Sequence, residues 1–388
     1  MLSPASPVVA VDDPSWGQHG GTADHTGHLD RDLVVERVRL RWQRVMTPSQ
    51  IIVGQVIGSG RIFVSTGGSP EGFPGLYAFD LGNGARLWDS YTGFLVDQDP
   101  PAYDPALQVV VQRSRGFMLG SLLRCHDAAS GKVLWNLPYE SVSGHSYLSP
   151  TLVDGVAFVP ATASGGVMKV RLSDGMDLGS GGSMGQPQEF WTPTPLGNDH
   201  LLVNTGALHV VDRATLTSLY SIPDPEISFQ EGLGGQAPIV TSEGYAVLAV
   251  TEDHLVAFDL DQRNVAWSIP VQAYGQIAYD GSQLFVAVAG KLSARDPATG
   301  DEKWSWSPPS GFVRPPFVVF RDFVAVMADG GVYLIDRHTH VANVTLPLPK
   351  DANPLTLTYG DNTLLVSFGS SMAAYDVPST PLLADGFE

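Results

Sequence analysis

Ala294-Arg295-Asp296-Pro297-Ala298-Thr299-Gly300-Asp301-Glu302-Lys303-Trp304 is the stretch that decides the fold. It places a small residue, then Asp two positions on, then Gly, then Trp, at intervals that suit a β-hairpin. The Asp carboxylate can accept backbone N–H bonds in the turn, and Gly takes the positive φ the turn requires. Trp then falls on the outer strand, where an indole can fill the wedge between diverging sheets, and the small residue leaves room for it.

The same slots are filled by Ala78, Asp80, Gly84 and Trp88, by Cys125, Asp127, Gly131 and Trp135, and more weakly by Ala257, Asp259 and Trp267. Degenerate copies fall at Arg171 with Gly175, at Asp212 with Tyr220, at Asp336 and at Asp376. The eight Asp-slot positions are 80, 127, 171, 212, 259, 296, 336 and 376, in steps of 37 to 47 residues. That is the length of a four-stranded propeller blade. Short polar turns between apolar runs, from Gly58-Ser59-Gly60 to Gly360-Asp361-Asn362, give the same count. The expected fold is therefore all-β, an eight-bladed β-propeller of four-stranded antiparallel blades. The last repeat lacks its own outer strand, while Val34 to Val45 holds an unclaimed strand with Trp42, so the N-terminal strand is expected to close the ring and remove its open edge. The domain reading is a tail and lead-in over 1–30, one propeller over 31–378 and a C-terminal tail over 379–388.

Composition agrees with many short strands: 42 Gly and 29 Pro among 388 residues, and 16% charged residues. A formal charge of −18 disfavours nucleic acid and anionic membrane surfaces, and the reading finds no local basic patch. No apolar run is long enough for a membrane span. Cys125 is the single cysteine, which excludes an intramolecular disulfide and a four-cysteine zinc site; it reads as a packed small residue in the slot of Ala78 and Ala294. Trp42, Trp88, Trp135, Trp267 and Trp304 read as structural docking residues.

On these residues the chain resembles the pyrroloquinoline-quinone-like propeller repeats, whose hallmark is this docking motif. Trp16, Gly20-Gly21 and His25-Thr26-Gly27 look like the family's lead-in. In size and lack of extra domains the chain is similar to the members that accompany β-barrel assembly in the periplasm, although Cys125 cannot serve as a lipid-anchoring N-terminal cysteine. The tail Asp385-Gly386-Phe387-Glu388 resembles those of some exported Gram-negative proteins, and Val8-Val9-Ala10 has the look of a cleavage site. Together these imply a periplasmic or secreted protein.

The resemblance also raises a quinoprotein dehydrogenase, since family enzymes hold their cofactor in the propeller channel. Those enzymes carry adjacent cysteines and a calcium site, neither of which can be placed here, and a cofactor with three carboxylates wants Arg and Lys partners. No cofactor, no metal and no catalytic residue is assigned. His19, Asp24, His25, His28 and Asp30 match no ligand spacing, and Asp97-Gln98-Asp99 lacks the rest of a calcium loop. Gly179 to Gly185 reads as an inter-blade loop, not a phosphate cradle.

The expected function is a non-enzymatic protein- or peptide-binding scaffold. The connections that bring the chain from each outer strand to the next inner strand converge on one channel mouth. That register draws Asp97, Asp99, His145, Glu189, Trp191, Glu231, Gln236, Gln276 and Arg314 to the mouth, an acidic set suited to a basic peptide segment, with Trp191 as anchor.

Overall fold

Each full repeat closes a tight hairpin in the computed structural model, which describes residues 16–46, 50–68, 74–91, 97–116, 120–139, 149–160, 166–182, 184, 192–227, 236–250, 253–349 and 354–379. At Asp127, the Ser130 N–H donates to the carboxylate at 2.8 Å and the Gly131 N–H donates to the Asp127 carbonyl at 2.8 Å. Gly131 sits at φ 72°, and Gly84, Gly175 and Gly300 adopt the same left-handed turn. Glycine is required there for a second reason. A Cβ on Gly131 would lie 2.5 Å from Trp88, and one on Gly175 would lie 2.6 Å from Trp135. The tryptophan of one blade lies flat on the bare turn of the next.

The indole N–H completes the joint. Trp42 donates to the Leu81 carbonyl at 2.9 Å, Trp88 to Ala128 at 3.1 Å, Trp135 to Leu172 at 2.7 Å and Trp267 to Pro297 at 3.1 Å. Each acceptor directly follows the Asp slot of the next blade, so one bond ties every such pair of blades in the same register. The small slot lies across from the indole within the sheet: Ala78 opposite Trp88, Cys125 opposite Trp135, Ala257 opposite Trp267 and Ala294 opposite Trp304. Cys125 is fully buried there, and burial pushes its thiol up to about 12, so it packs as an inert residue.

The degenerate copies keep this geometry with different atoms. Leu216, Arg263 and His340 occupy the glycine slot at φ 59°, 56° and 59°. His340 stacks on Trp304 with centroids 4.5 Å apart, and the Arg263 guanidinium lies 4.3 Å from the Tyr220 ring centre. Blade three has no outer aromatic. Its outer strand is Asp177–Gly181, so part of the glycine-rich run expected as a loop is a strand. A Cβ on Gly181 would lie 2.5 Å from the Leu216 carbonyl oxygen, and Leu216 itself is buried.

Eight sheets result, each ordered from the channel outwards. Blade one is Gln50–Gly58, Arg61–Gly68, Gly75–Asp80 and Arg86–Tyr91. In blade two the inner strand is broken into Asp97–Gln98 and Ala102–Asp104, both paired with Val109–Gly116. Blade eight takes Pro354–Gly360, Thr363–Phe368 and Ser371–Asp376 from the end of the chain, and its outer strand is Arg39–Val45 from the start. Trp42 pairs with Ala374, as the sequence implies. The inner and second strands are buried almost throughout, with Ile57, Phe63, Phe158, Phe285 and Phe317 among the largest fully buried side chains. This leaves a channel lined by eight inner strands.

Candidate functional site: a blind channel mouth

Residues 16–34 run inside that channel, where the sequence reading places only a lead-in. They pass from blade to blade around the ends of the inner strands that face the first hairpin turns. The Trp16 carbonyl accepts the Ile57 N–H at 2.9 Å in blade one, and the Gly17 carbonyl accepts the Tyr103 N–H at 2.7 Å in blade two. The Gln18 side chain binds both main-chain groups of Leu152 in blade three, each at 2.8 Å. The Thr26 carbonyl accepts from Tyr279 in blade six and the Gly27 carbonyl from Val319 in blade seven, both at 2.8 Å. His28–Leu29 then adds a short parallel strand to Arg314–Phe320, and the Val34 N–H donates to Pro378 beside blade eight. The segment is a plug, since its backbone bonds are satisfied by the inner strands in turn.

Two histidines lock it. His25 is fully buried, with one ring nitrogen 2.6 Å from the His19 carbonyl and the other 3.2 Å from the Pro193 carbonyl. His19 Nε2 lies 3.1 Å from Gln276 Oε1, and the same Gln276 side chain bonds both main-chain groups of Ala237. Burial lowers the pKa of both rings, that of His19 to about 4, so both are neutral near pH 7. Their nitrogens face carbonyls and an amide of the protein, so the histidine-rich lead-in is a structural knot. Among the described residues, no group of three or more His, Cys, Asp or Glu is placed to hold a metal ion.

Above the plug, the described residues leave a cavity of about 240 Å³ on the side of the other face. Trp16, Gln18, His19 and Gly20 form its floor, and its walls come from the upstream parts of inner strands, Val53 to Val56 in blade one and Leu355 to Thr358 in blade eight, with Pro100, Thr192, Gln236 and Pro316. No Lys, Arg, Asp or Glu lines it among the described residues. The surface is amide, hydroxyl, indole and aliphatic.

Those residues assigned to the mouth from sequence whose side chains are described separate into three groups. Gln236 lines the cavity, and Thr192, which directly follows Trp191 in the chain, lines it too. Gln276 lies below, bonded to the plug. Asp99 is buried in an ion pair with Arg113 at 3.1 Å, both side chains at most 5% exposed, and Arg314 lies 3.4 Å from Asp329. His145, Glu189, Trp191 and Glu231 lie outside the described residues, as does the side chain of Asp97. The plug is what sequence reasoning missed. Its signal was present in Gly20, His25 and Gly27, which take φ 66°, 59° and 65° and fold the segment back on itself.

A second buried histidine was also missed. His254 Nε2 lies 2.7 Å from Asp224 and Nδ1 lies 3.0 Å from Asp253. Burial opposes its charge, but the two carboxylates outweigh burial and raise its pKa. Both ring nitrogens are engaged, so the group clamps blade five to the connection that precedes it.

A family model described as outer membrane protein assembly factor BamB matches residues 251–343. No curated protein sequence matches the chain. Among solved structures the chain is similar to BamB from Moraxella catarrhalis, at 13% identity and TM-score 0.65, over 90% of this chain and 99% of that one. It is also similar to a europium-containing methanol dehydrogenase, at 12% identity and TM-score 0.72, over 95% of this chain and 91% of the other. A quinohemoprotein alcohol dehydrogenase from Comamonas testosteroni follows at 13% identity and TM-score 0.71, over 97% and 83%. At these identities the likeness is one of fold.

Proposed function

We propose that this chain, a pyrroloquinoline-quinone-like β-propeller with the architecture of BamB, works as a protein- or peptide-binding scaffold in the cell envelope or outside the cell. The carrying observation is the chemistry of the mouth: a neutral cavity of about 240 Å³ above a channel closed by the chain's own residues. A quinone cofactor with three carboxylates finds no cation in the described lining, and calcium finds no carboxylate there. The described residues of the lining do not fit that cofactor. They do suit one or two side chains of an inserted peptide, held by amides and hydroxyls and packed on Trp16. The acidic rim assigned by register, Asp97, Glu189 and Glu231, would draw a segment bearing Lys or Arg to the opening, with Trp191 beside it as an anchor. The envelope location is supported by the matched family's description as an outer membrane assembly factor. A quinoprotein-type dehydrogenase is the second reading, brought by the two dehydrogenase neighbours.

The test is titration with labelled Lys-rich and Glu-rich peptides. The Lys-rich peptide should bind in a salt-dependent way, and Glu189→Lys with Glu231→Lys should weaken it roughly ten-fold while leaving the melting temperature nearly unchanged. Binding that persists at full strength in the double variant would move the working surface away from this mouth.

A further inference from the structure

We propose that the outer strand of blade eight forms a second docking surface, built for an acidic segment that also carries apolar side chains. The strand reads Arg39-Leu40-Arg41-Trp42-Gln43-Arg44-Val45, and Arg37 precedes it. Four guanidinium groups thus fall within eight residues of a chain whose formal charge is −18. The absence of a basic patch, read from composition, is corrected here: the overall charge hides a local reversal.

Little neutralises it. Asp376 pairs with Arg39 at 2.8 Å and with Arg41, while Arg44 donates to the neutral carbonyl of Asn83 at 3.2 Å. Glu36 is the other carboxylate lining the strand's start. Arg39 has 79% of its side chain exposed, and Leu40 and Val45 on the same strand are 53% and 66% exposed. A cavity of about 460 Å³ lies at one end, between Arg37, Arg39, Arg41 and Pro378. Another of about 600 Å³ lies at the other, between Arg44, Met46, Tyr77 and Phe79. The strand spans roughly 23 Å at about 3.3 Å per residue. An extended peptide laid along it would meet cations between a mainly charged recess at one end and, at the other, one walled by Val45, Met46, Tyr77 and Phe79. Charge complementarity selects an acidic peptide, and an extended strand running between two recesses suits a chain over a flat lipid surface. Beyond the patch, the acidic protein repels extended polyanions.

The experiment is fluorescence anisotropy with a labelled peptide of alternating Glu and Leu, against one of alternating Gln and Leu. The Glu peptide should bind and be released by salt. Arg37→Glu with Arg44→Glu should weaken it roughly ten-fold at an unchanged melting temperature, and Leu40→Ser should weaken it less. Glu189→Lys with Glu231→Lys should leave it intact, which separates this surface from the channel mouth. Equal binding of the Gln peptide, or wild-type binding by the arginine variant, would overturn the proposal. Preferred binding of phosphatidylserine vesicles would make lipid the ligand and overturn it as well. So would a self-association that the arginine variant abolishes, or a large gain in peptide affinity when the chain ends at Ser379, which would make residues 380–388 the occupant.

Discussion

Blades one to seven each take their four blade strands from one continuous run of chain, with His28–Leu29 added to blade seven, whereas blade eight joins the two ends; the contrast shows which parts of the repeat belong to the hairpin and which to the joint between blades. In the continuous blades the Asp serves the turn. Asp127, Asp212 and Asp336 all accept N–H groups from the residue three places on, at 2.7 to 2.8 Å. Those of Asp127 and Asp212 are held below the usual carboxylate range first by bonds from Ser130 and Thr215. Asp376 is followed by no hairpin, since the outer strand arrives from Arg39. Its carboxylate takes Arg39 and Arg41 instead, and their hydrogen bonds outweigh burial to keep it ionised. The tryptophan joint is unchanged across this break. Trp42 meets Gly84 and the Leu81 carbonyl as Trp88 meets Gly131 and Ala128.

If the joint is independent of connectivity, Trp42→Ala and Trp88→Ala should cost similar amounts, about 3 kcal/mol each as large-to-small changes at partly buried sites. Urea denaturation of the two variants checks this. A seam much weaker than its neighbours would show Trp42→Ala as nearly neutral. Blade three sharpens the rule from the other side, because Gly179 stands in its aromatic slot with open space about it and Leu216 stands in the glycine slot of the next blade. Two positions on, Gly181→Ala should cost about 1–3 kcal/mol by overpacking against the Leu216 backbone, and a stability unchanged in thermal melts would contradict that close approach.

The plug responds to pH in its own window. The neutral form of His19 is favoured in the folded state, so its contribution is complete above the ordinary value of 6.5 and is lost as pH falls toward about 4. Protection of residues 16–29 from hydrogen exchange, taken relative to the intrinsic rate at each pH, should therefore fall across that interval while the strands of blade six stay protected. His254 has the opposite sign: its raised pKa adds stability at low pH that fades as pH rises through the folded value. Uniform exchange across the molecule would show that the plug is not a separate unit. The smallest effect concerns Asp376. Its carboxylate contributes above the unfolded value near 3.8 and loses that contribution in stronger acid. Because Arg39 is largely exposed, Asp376→Asn should lessen the salt dependence of stability, whereas Asp127→Asn should leave it alone. Identical salt responses would remove the distinction between turn and seam.

Much of the fold was legible because its determinants are local and recur. Asp, Gly and Trp stand at fixed intervals, and Trp42 could be matched to the gap after Asp376 by counting. The degenerate copies were harder, since Leu216, Arg263 and His340 hold a glycine's conformation without being glycine. Blade three hid its outer strand within a glycine-rich run for the same reason: the requirement there is close approach, and no propensity reports it. The site was less legible. Residues 16–34 make their contacts with inner strands from about forty to three hundred residues away, as Trp16 does with Ile57 and Gln18 with Leu152, so no local pattern announces a plug. Asp99 and Gln276 stand at the right register for the mouth, but their partners Arg113 and His19 draw them into ion pairing and packing. The basic seam was plain in the sequence at Arg37 to Arg44 and was masked by the total charge.

The central claim is that the channel serves as a blind recess for a binding partner and not as a seat for cofactor chemistry. Calorimetric titration of the purified chain with pyrroloquinoline quinone and calcium, followed by an alcohol-dependent dye-reduction assay, tests it most directly. The account predicts no saturable heat and no turnover above a blank, because the plug fills one end of the channel and the described lining of the other offers no cation to the carboxylates. Saturable binding accompanied by alcohol-dependent reduction would contradict it and establish the chain as an enzyme.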